Sequence, residues 1–163
     1  MNENTICFKP IGVIRSEHTI PGETPIQPIF AEECQGWVEL FEEYAPGLQD
    51  IEGFSHLYLL YHFHRAEPVK LIVKPFLQDI ARGVFATRAT CRPNPIGISI
   101  VELLSREGRI LRVKGLDVLD GTPLLDIKPY TARFDRRENV RNGWQDTLDD
   151  ETSRQRGKRG YRS

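Results

Sequence analysis

Three groups of residues in this sequence have the types and spacing for chemistry. The first lies in the run from Arg82 to Ser99, which carries Arg88, Arg92 and Asn94 on a stretch closed by Pro93 and Pro95. Each proline fixes its own φ and restricts the residue before it, so Asn94 is pinned extended between them. Guanidinium forks on so stiff a loop suit a carboxylate or a phosphate. The same residues would also serve a structural turn with solvated arginines. The second group is His56, His62 and His64, which share one parity in the run His56 to His64. Two histidines at i and i+2 on a strand can hold a metal. The alternative is a set of core histidines with satisfied partners, and no metal site is assigned because no acidic or cysteine cluster stands beside them in sequence. The third group is Asp126, Lys128 and Tyr130, which alternation puts on one face. An acid, a cation and a phenol together handle a proton or position a base. Their plainer use is a salt bridge beside a packed tyrosine.

The elements that must position these residues read as short strands punctuated by Pro, Gly and Asp. Strands are predicted over Phe8 to Arg15, Trp37 to Phe41, His56 to His64, Val69 to Val73, Gly83 to Thr87, Ile98 to Leu104, Ile110 to Val118 and from Leu124 to Ile127. The run from His56 has apolar residues at both parities, as in a strand buried on both faces. Ser105-Arg106-Glu107-Gly108 and Asp120-Gly121 are turn signals. Helical signal is thin, with one short helix expected within Arg136 to Gln145. Many short strands at regular spacing predict an all-β fold, a barrel or sandwich.

The chain has 163 residues, 28% of them charged, and a net charge of −1, so one ordinary domain is expected rather than a disordered or bilayer-embedded chain. Residues Met1 to Thr5 are polar without a signal-peptide pattern, and no apolar run matches a bilayer's thickness. The expectation is a soluble, cytoplasmic protein with no membrane partner. Cys7, Cys34 and Cys91 are too dispersed for a disulfide framework or a Cys-x-x-Cys metal site, although a reactive thiol at Cys91 is conceivable. There is no Gly-x-Gly-x-x-Gly, no P-loop and no Gly-x-Ser-x-Gly elbow, which excludes the usual dinucleotide, phosphate-loop and serine-hydrolase readings. Residues 1–146 are expected to form the domain and 147–163 a polar, basic, flexible tail. From Glu151 to Ser163, Arg154, Arg156, Lys158, Arg159 and Arg162 stand against Glu151 alone, which suits nucleic-acid phosphates as well as it suits a solvated end.

GVFATR followed by RPNPIG closely resembles the signature of the TsaA-like tRNA methyltransferases, the TrmO family. Companion motifs match in order: Pro10 to Ser16, Thr24 to Pro28, Phe54 to Leu57 with Phe63-His64, and Leu116 to Pro123 through Asp126 to Tyr130. The resemblance spans roughly residues 8 to 144. It implies a single β-barrel domain with short helices and an irregular C-terminal tail. It implies S-adenosyl-L-methionine as methyl donor and N6 of threonylcarbamoyladenosine, in the anticodon loop of tRNA, as acceptor. It also implies a homodimer with the donor near the subunit interface. Carried over by motif, the donor contacts are Gln27, Pro28, His64, Arg65, Arg88, Ile98, Gly121, Thr122, Pro123 and Leu124. Arg88 would pair with the methionine carboxylate and Ile98 would cover the adenine. Asp126, with Lys128 and Tyr130, is the candidate for proton handling. The competing readings are a non-catalytic β-barrel RNA-binding module and a metal-dependent hydrolase built on the histidine strand.

Overall fold

The computed structural model describes residues 4–25 and 31–157. The eight strands are β1 (Gly12–Ser16), β2 (Gln35–Leu40), β3 (His56–His62), β4 (Ile72–Val73), β5 (Arg82–Gly83), β6 (Ile96–Glu107), β7 (Ile110–Lys114) and β8 (Thr122–Pro129). Six of them close into a barrel in the order β1-β2-β7-β6-β3-β8, with β8 returning to β1, and β4 pairs with β5 in a separate two-stranded ribbon. Every pairing in the barrel is antiparallel. The closed barrel decides between the two all-β readings, barrel or sandwich, that the turn signals left open, and of the described strands only β6 and β7 are joined by a tight hairpin.

The barrel is filled by alternate residues of its strands, as the pleat requires. Ile14, Val38, Leu57, Leu59, Val101, Leu111 and Leu124 are all buried inside it. β3 departs from the reading of a strand buried on both faces. Leu57, Leu59 and Tyr61 point into the core, whereas His56, Tyr58 and Leu60 are half-buried and His62 is exposed. The tyrosines explain the apolar parity on the outside: Tyr58 and Tyr130 pack with ring centroids 5.8 Å apart. β6 and β7 are joined at Gly108, whose φ of 58° opens a two-residue hairpin turn.

Helices are few. α1 covers only Ala132–Asp135, and the helix expected within Arg136 to Gln145 does not form. Asn139 (φ 55°) and Gly143 (φ 60°) sit in the left-handed region and interrupt it, leaving a 3-10 turn over Gly143–Thr147. Conversely, α2 occupies Asp150–Gly157, inside the segment expected as an irregular tail. Asp149 caps it by accepting from the Thr152 amide at 2.6 Å, and Arg156 reaches both oxygens of Asp79 at 3.3 and 3.1 Å. A helix held by a cap and an ion pair has no apolar stripe, so periodicity could not reveal it. The remaining tail residues, Lys158 to Ser163, lie outside the described residues. Among the described residues, no helix is long and apolar enough to cross a membrane.

Candidate active site

Two of the residues selected from sequence, 58 positions apart, meet where β8 begins. Thr122 is buried, and its hydroxyl donates to the Leu119 carbonyl at 2.6 Å. His64 Nδ1 lies 3.4 Å from the same hydroxyl oxygen. Since the threonine proton is committed to Leu119, the ring nitrogen is the donor, which places the neutral imidazole's lone pair on Nε2. Burial, then the charges of Arg65 and His62, hold the His64 pKa below its ordinary value, against a weaker opposite pull from Asp120. A neutral ring at physiological pH follows.

The turn beneath this pair is rigid. Gly121 has φ 77°, which favours glycine, and its amide donates to the Ile14 carbonyl at 2.9 Å. Asp120 accepts from the Ser16 amide at 3.0 Å and donates its own amide to the His18 carbonyl at 2.7 Å. Pro123 pairs with Val13, and Leu124 points into the core with its carbonyl bonded to the Ile11 amide. Leu124 therefore shapes the turn from below. Arg65 is exposed, with a guanidinium nitrogen 3.4 Å from the Thr19 carbonyl.

Within the barrel, sequence reasoning missed a hydrogen-bonded chain. The Tyr61 hydroxyl is 2.8 Å from Ser99 Oγ, and Ser99 donates to Asp117 Oδ1 at 2.5 Å. One serine proton serves one bond, so against an ionised Asp117 the order runs from phenol to serine to carboxylate. Desolvation raises the Asp117 pKa to about 7, opposed by the serine bond, a bond from its own backbone and the charge of Arg88. Burial, and then Asp117, push the Tyr61 phenol above its normal range, while the Ser99 bond and Arg88 pull it down. Arg88 is itself exposed, yet its charge reaches this interior chain. The available signal was a lone carboxylate in the apolar run Leu116, Asp117, Val118, together with Ser99 at the inward parity of β6.

The Arg82 to Ser99 segment divides by role. Arg92 Nη1 donates to the Thr87 and Ala89 carbonyls at 3.1 and 3.2 Å, so it closes its own loop. Arg82 lies over the Trp144 ring at 5.8 Å, and the Trp144 indole donates to the Ala86 carbonyl at 2.7 Å. Asn94 is exposed, and its carbonyl takes the Ile96 amide. The structural-turn reading thus fits Arg92.

Ile98, Asp126, Lys128 and Tyr130 lie on the outer surface of the barrel. A register shift between Leu60 and Tyr61, opposite Leu125, turns Asp126 and Lys128 outward. Cross-strand pairing lines up Ile98, Leu60 and Asp126 in one row and Ile100, Tyr58 and Lys128 in the next. Lys128 and Asp126 form an ion pair at 2.9 Å, and both are substantially exposed. Tyr130 leans on Tyr58 and on His56, the latter at 6.3 Å between centroids. Along β8, Asp126 is roughly 13 Å from Thr122 at the usual strand rise. One chain therefore does not bring the proton-handling candidates beside the His64–Thr122 corner. His56 and His62 sit at opposite ends of β3, roughly 20 Å apart, so the three histidines do not converge on a metal. Gln27 and Pro28 lie outside the described residues.

This geometry has known counterparts. The profile of the tRNA-methyltransferase O N-terminal domain matches residues 13–136. The chain belongs to the tRNA-methyltransferase O family. It is 57% identical over 139 residues to a Pyrococcus abyssi protein named "Probable S-adenosyl-L-methionine-binding protein", covering 85% of this chain and 76% of that one. It is 42% identical over 135 residues to the Escherichia coli protein named "tRNA (adenine(37)-N6)-methyltransferase", covering 76% of this chain and 57% of that enzyme. The crystal structure of TrmO from Pseudomonas aeruginosa superposes with a TM-score of 0.72 at 41% identity, over 86% of this chain and 62% of that one. The chain thus spans less than two thirds of the length of these last two relatives. Membership in the tRNA-methyltransferase O family also accounts for what the sequence lacks: a barrel family needs no glycine-rich nucleotide loop between a strand and a helix. In this family member His64 and the Gly121 to Leu124 turn form the corner at the start of β8, while Ile98, Asp126, Lys128 and Tyr130 lie on the outer face of the barrel.

Proposed function

We propose that this chain is an S-adenosylmethionine-dependent methyltransferase that methylates N6 of threonylcarbamoyladenosine beside the anticodon of tRNA, in the cytoplasm. The observation that carries the reading is the His64–Thr122 corner on its rigid Gly121 turn. The chemistry of the donor suits the residues present. Arg88 offers a planar cation for a carboxylate. The buried Thr122 oxygen and the neutral His64 ring offer hydrogen bonds to adenine or ribose edges, and Ile98, 44% exposed, offers an apolar cover.

Bound S-adenosylmethionine supplies a methyl group already activated by the adjacent sulfonium. The protein's task is then mainly alignment, holding acceptor nitrogen, methyl carbon and sulfur in line. N6 is a poor nucleophile because its lone pair is delocalised, and it sheds a proton during or after attack. Asp126, ion-paired with Lys128 at 2.9 Å, is the proton acceptor in this reading, and Tyr130 borders the same surface. An anticodon-loop base is accessible without opening a duplex, which suits a small barrel.

The working unit in this reading is a homodimer. The outer face presents Ile96, Ile98 and Ile100, each more than a third exposed, with Leu60 and Tyr58 alongside. A contiguous apolar row on a barrel wall suits burial against a second copy. A partner subunit seated there would also supply the residues that one chain keeps roughly 13 Å apart. Ile98→Glu is expected to shift the protein from dimer to monomer in sedimentation equilibrium and to weaken donor binding with it. A monomeric wild-type protein would overturn the assembly.

The function itself is tested with purified protein, labelled donor and tRNA bearing threonylcarbamoyladenosine, followed by recovery of the nucleoside. The expected product is the N6-methylated nucleoside. Calorimetry with S-adenosylmethionine alone should show binding that weakens about tenfold or more in Thr122→Val, from loss of a buried hydrogen bond. An RNA-binding module would ignore the donor in both forms, and that outcome would sink the proposal.

A further inference from the structure

A second cluster of reactive side chains lies outside the donor corner. Glu17 and His18 follow directly on β1, and Cys34 precedes β2. One ligand atom from each lies within 4.8 Å of the other two, the only such group of His, Cys and carboxylate side chains among the described residues. Adjacent residues on a strand would point to opposite faces. Here the chain has already left the strand, and the His18 amide folds back onto Ser16 Oγ at 3.1 Å, which lets both side chains gather on one side.

The frame around the cluster is built on one residue. Leu116 is fully buried. Its carbonyl accepts from His18 Nε2 at 2.9 Å, and its amide donates to the Cys34 carbonyl at 3.2 Å. The Gly115 amide bonds the same Cys34 carbonyl at 2.8 Å. A carbonyl can only accept, so His18 donates from Nε2, and in the neutral ring the lone pair is on Nδ1. This is the arrangement in which a metal-binding imidazole is oriented by a backbone carbonyl behind it. His18 is only 2% exposed, so its orientation is fixed by its surroundings.

We propose that Glu17, His18 and Cys34 form a divalent-cation site of the zinc class that clips together the two ends of the segment from 18 to 34. A thiolate, an imidazole and a carboxylate suit a borderline ion such as Zn²⁺, and the thiolate disfavours Mg²⁺ and Ca²⁺, which take oxygen. Three protein ligands leave the fourth tetrahedral position to water. On binding, the Cys34 thiol gives its proton to solvent and the thiolate sulfur donates to the metal, so affinity rises with pH. The site stands on its own ligands and does not depend on the methyl-transfer reading.

The full-length protein, freed of metal by dialysis against a chelator, is titrated with zinc in competition with a chromophoric chelator, and its melting temperature is followed in parallel. One zinc per chain and a rise in melting temperature are expected. Magnesium and calcium should produce neither. Cobalt should give a thiolate charge-transfer band that disappears in Cys34→Ser. Both Cys34→Ser and Glu17→Gln alter residues away from the filled core and should bind zinc about tenfold more weakly or worse. Undetectable zinc binding by the wild-type protein, or wild-type affinity in Cys34→Ser, would overturn the site.

Discussion

Asp117→Asn is expected to remove a stability loss that the wild-type chain suffers as pH rises from about 4 to about 7. The folded protein holds this carboxyl protonated up to about 7, whereas its ordinary value is 3.8. Between those values the native state binds a proton that the unfolded chain has released, so unfolding free energy falls with pH. Below the lower value both states are protonated and the loss vanishes. Above the higher one both are ionised and the loss is constant. The shift corresponds to a loss on the order of 2 to 4 kcal/mol in alkaline solution. Asparagine keeps an oxygen to accept from Ser99, so the bond that Asp117 receives at 2.5 Å survives without the charge. Denaturant titrations of both proteins at about pH 4.5 and about pH 8.5 provide the check. The variant should gain on the wild type between the two conditions, and parallel pH profiles would show that the carboxylate is not desolvated as described.

Gly97→Ala is expected to destabilise the fold by about 2 to 4 kcal/mol, far beyond an ordinary glycine replacement in a strand. A Cβ at this position would collide with the Tyr61 ring, lying 2.7 Å from its Cζ and 2.8 Å from Cζ of Phe63. Neither ring can easily move away. They pack edge to face at 5.5 Å and 87°, and the Tyr61 hydroxyl is tied to Ser99. Turning Tyr61 out would leave a buried hydroxyl partner unsatisfied as well as creating a void. Gly83→Ala is the control, because a Cβ there meets nothing within 4 Å. Equal unfolding midpoints for the two variants would contradict the packing described around Gly97.

How much of this was legible in the sequence depends on the distance over which each feature is encoded. β3 announces itself through a continuous apolar run, β7 through apolar residues bounded by Gly108 and Gly115, and the turn at Gly121 through Asp120-Gly121. β6 was underestimated because its alternation continues past Leu104 into charged residues, Arg106 and Glu107, which still pair with β7. α2 escaped because capping and an ion pair with Asp79 hold it. The His64–Thr122 contact joins two residues that motif had singled out, since each sits in a recognisable local pattern. The Tyr61–Ser99–Asp117 chain and the Glu17–His18–Cys34 cluster have no local pattern. Their members are joined only by barrel closure and by the backbone of Leu116. The bulge at Leu125 is likewise marked by no glycine or proline at the bulged position, yet it decides that Asp126 and Lys128 face out.

The closed ring of six strands has a consequence for recognition. An open sheet can recruit a partner by lending it a strand's worth of main-chain donors and acceptors, a generic and sequence-tolerant grip. A ring flanked on every side by its own neighbours has none to lend. Whatever the barrel itself selects, whether nucleic acid or a second copy, must be read by side chains on the wall and by the loops at the mouth, which leaves the short β4–β5 ribbon as the open sheet edge among the described residues. Its selectivity can then be altered residue by residue, while the hydrogen-bonded ring that supports it stays unchanged.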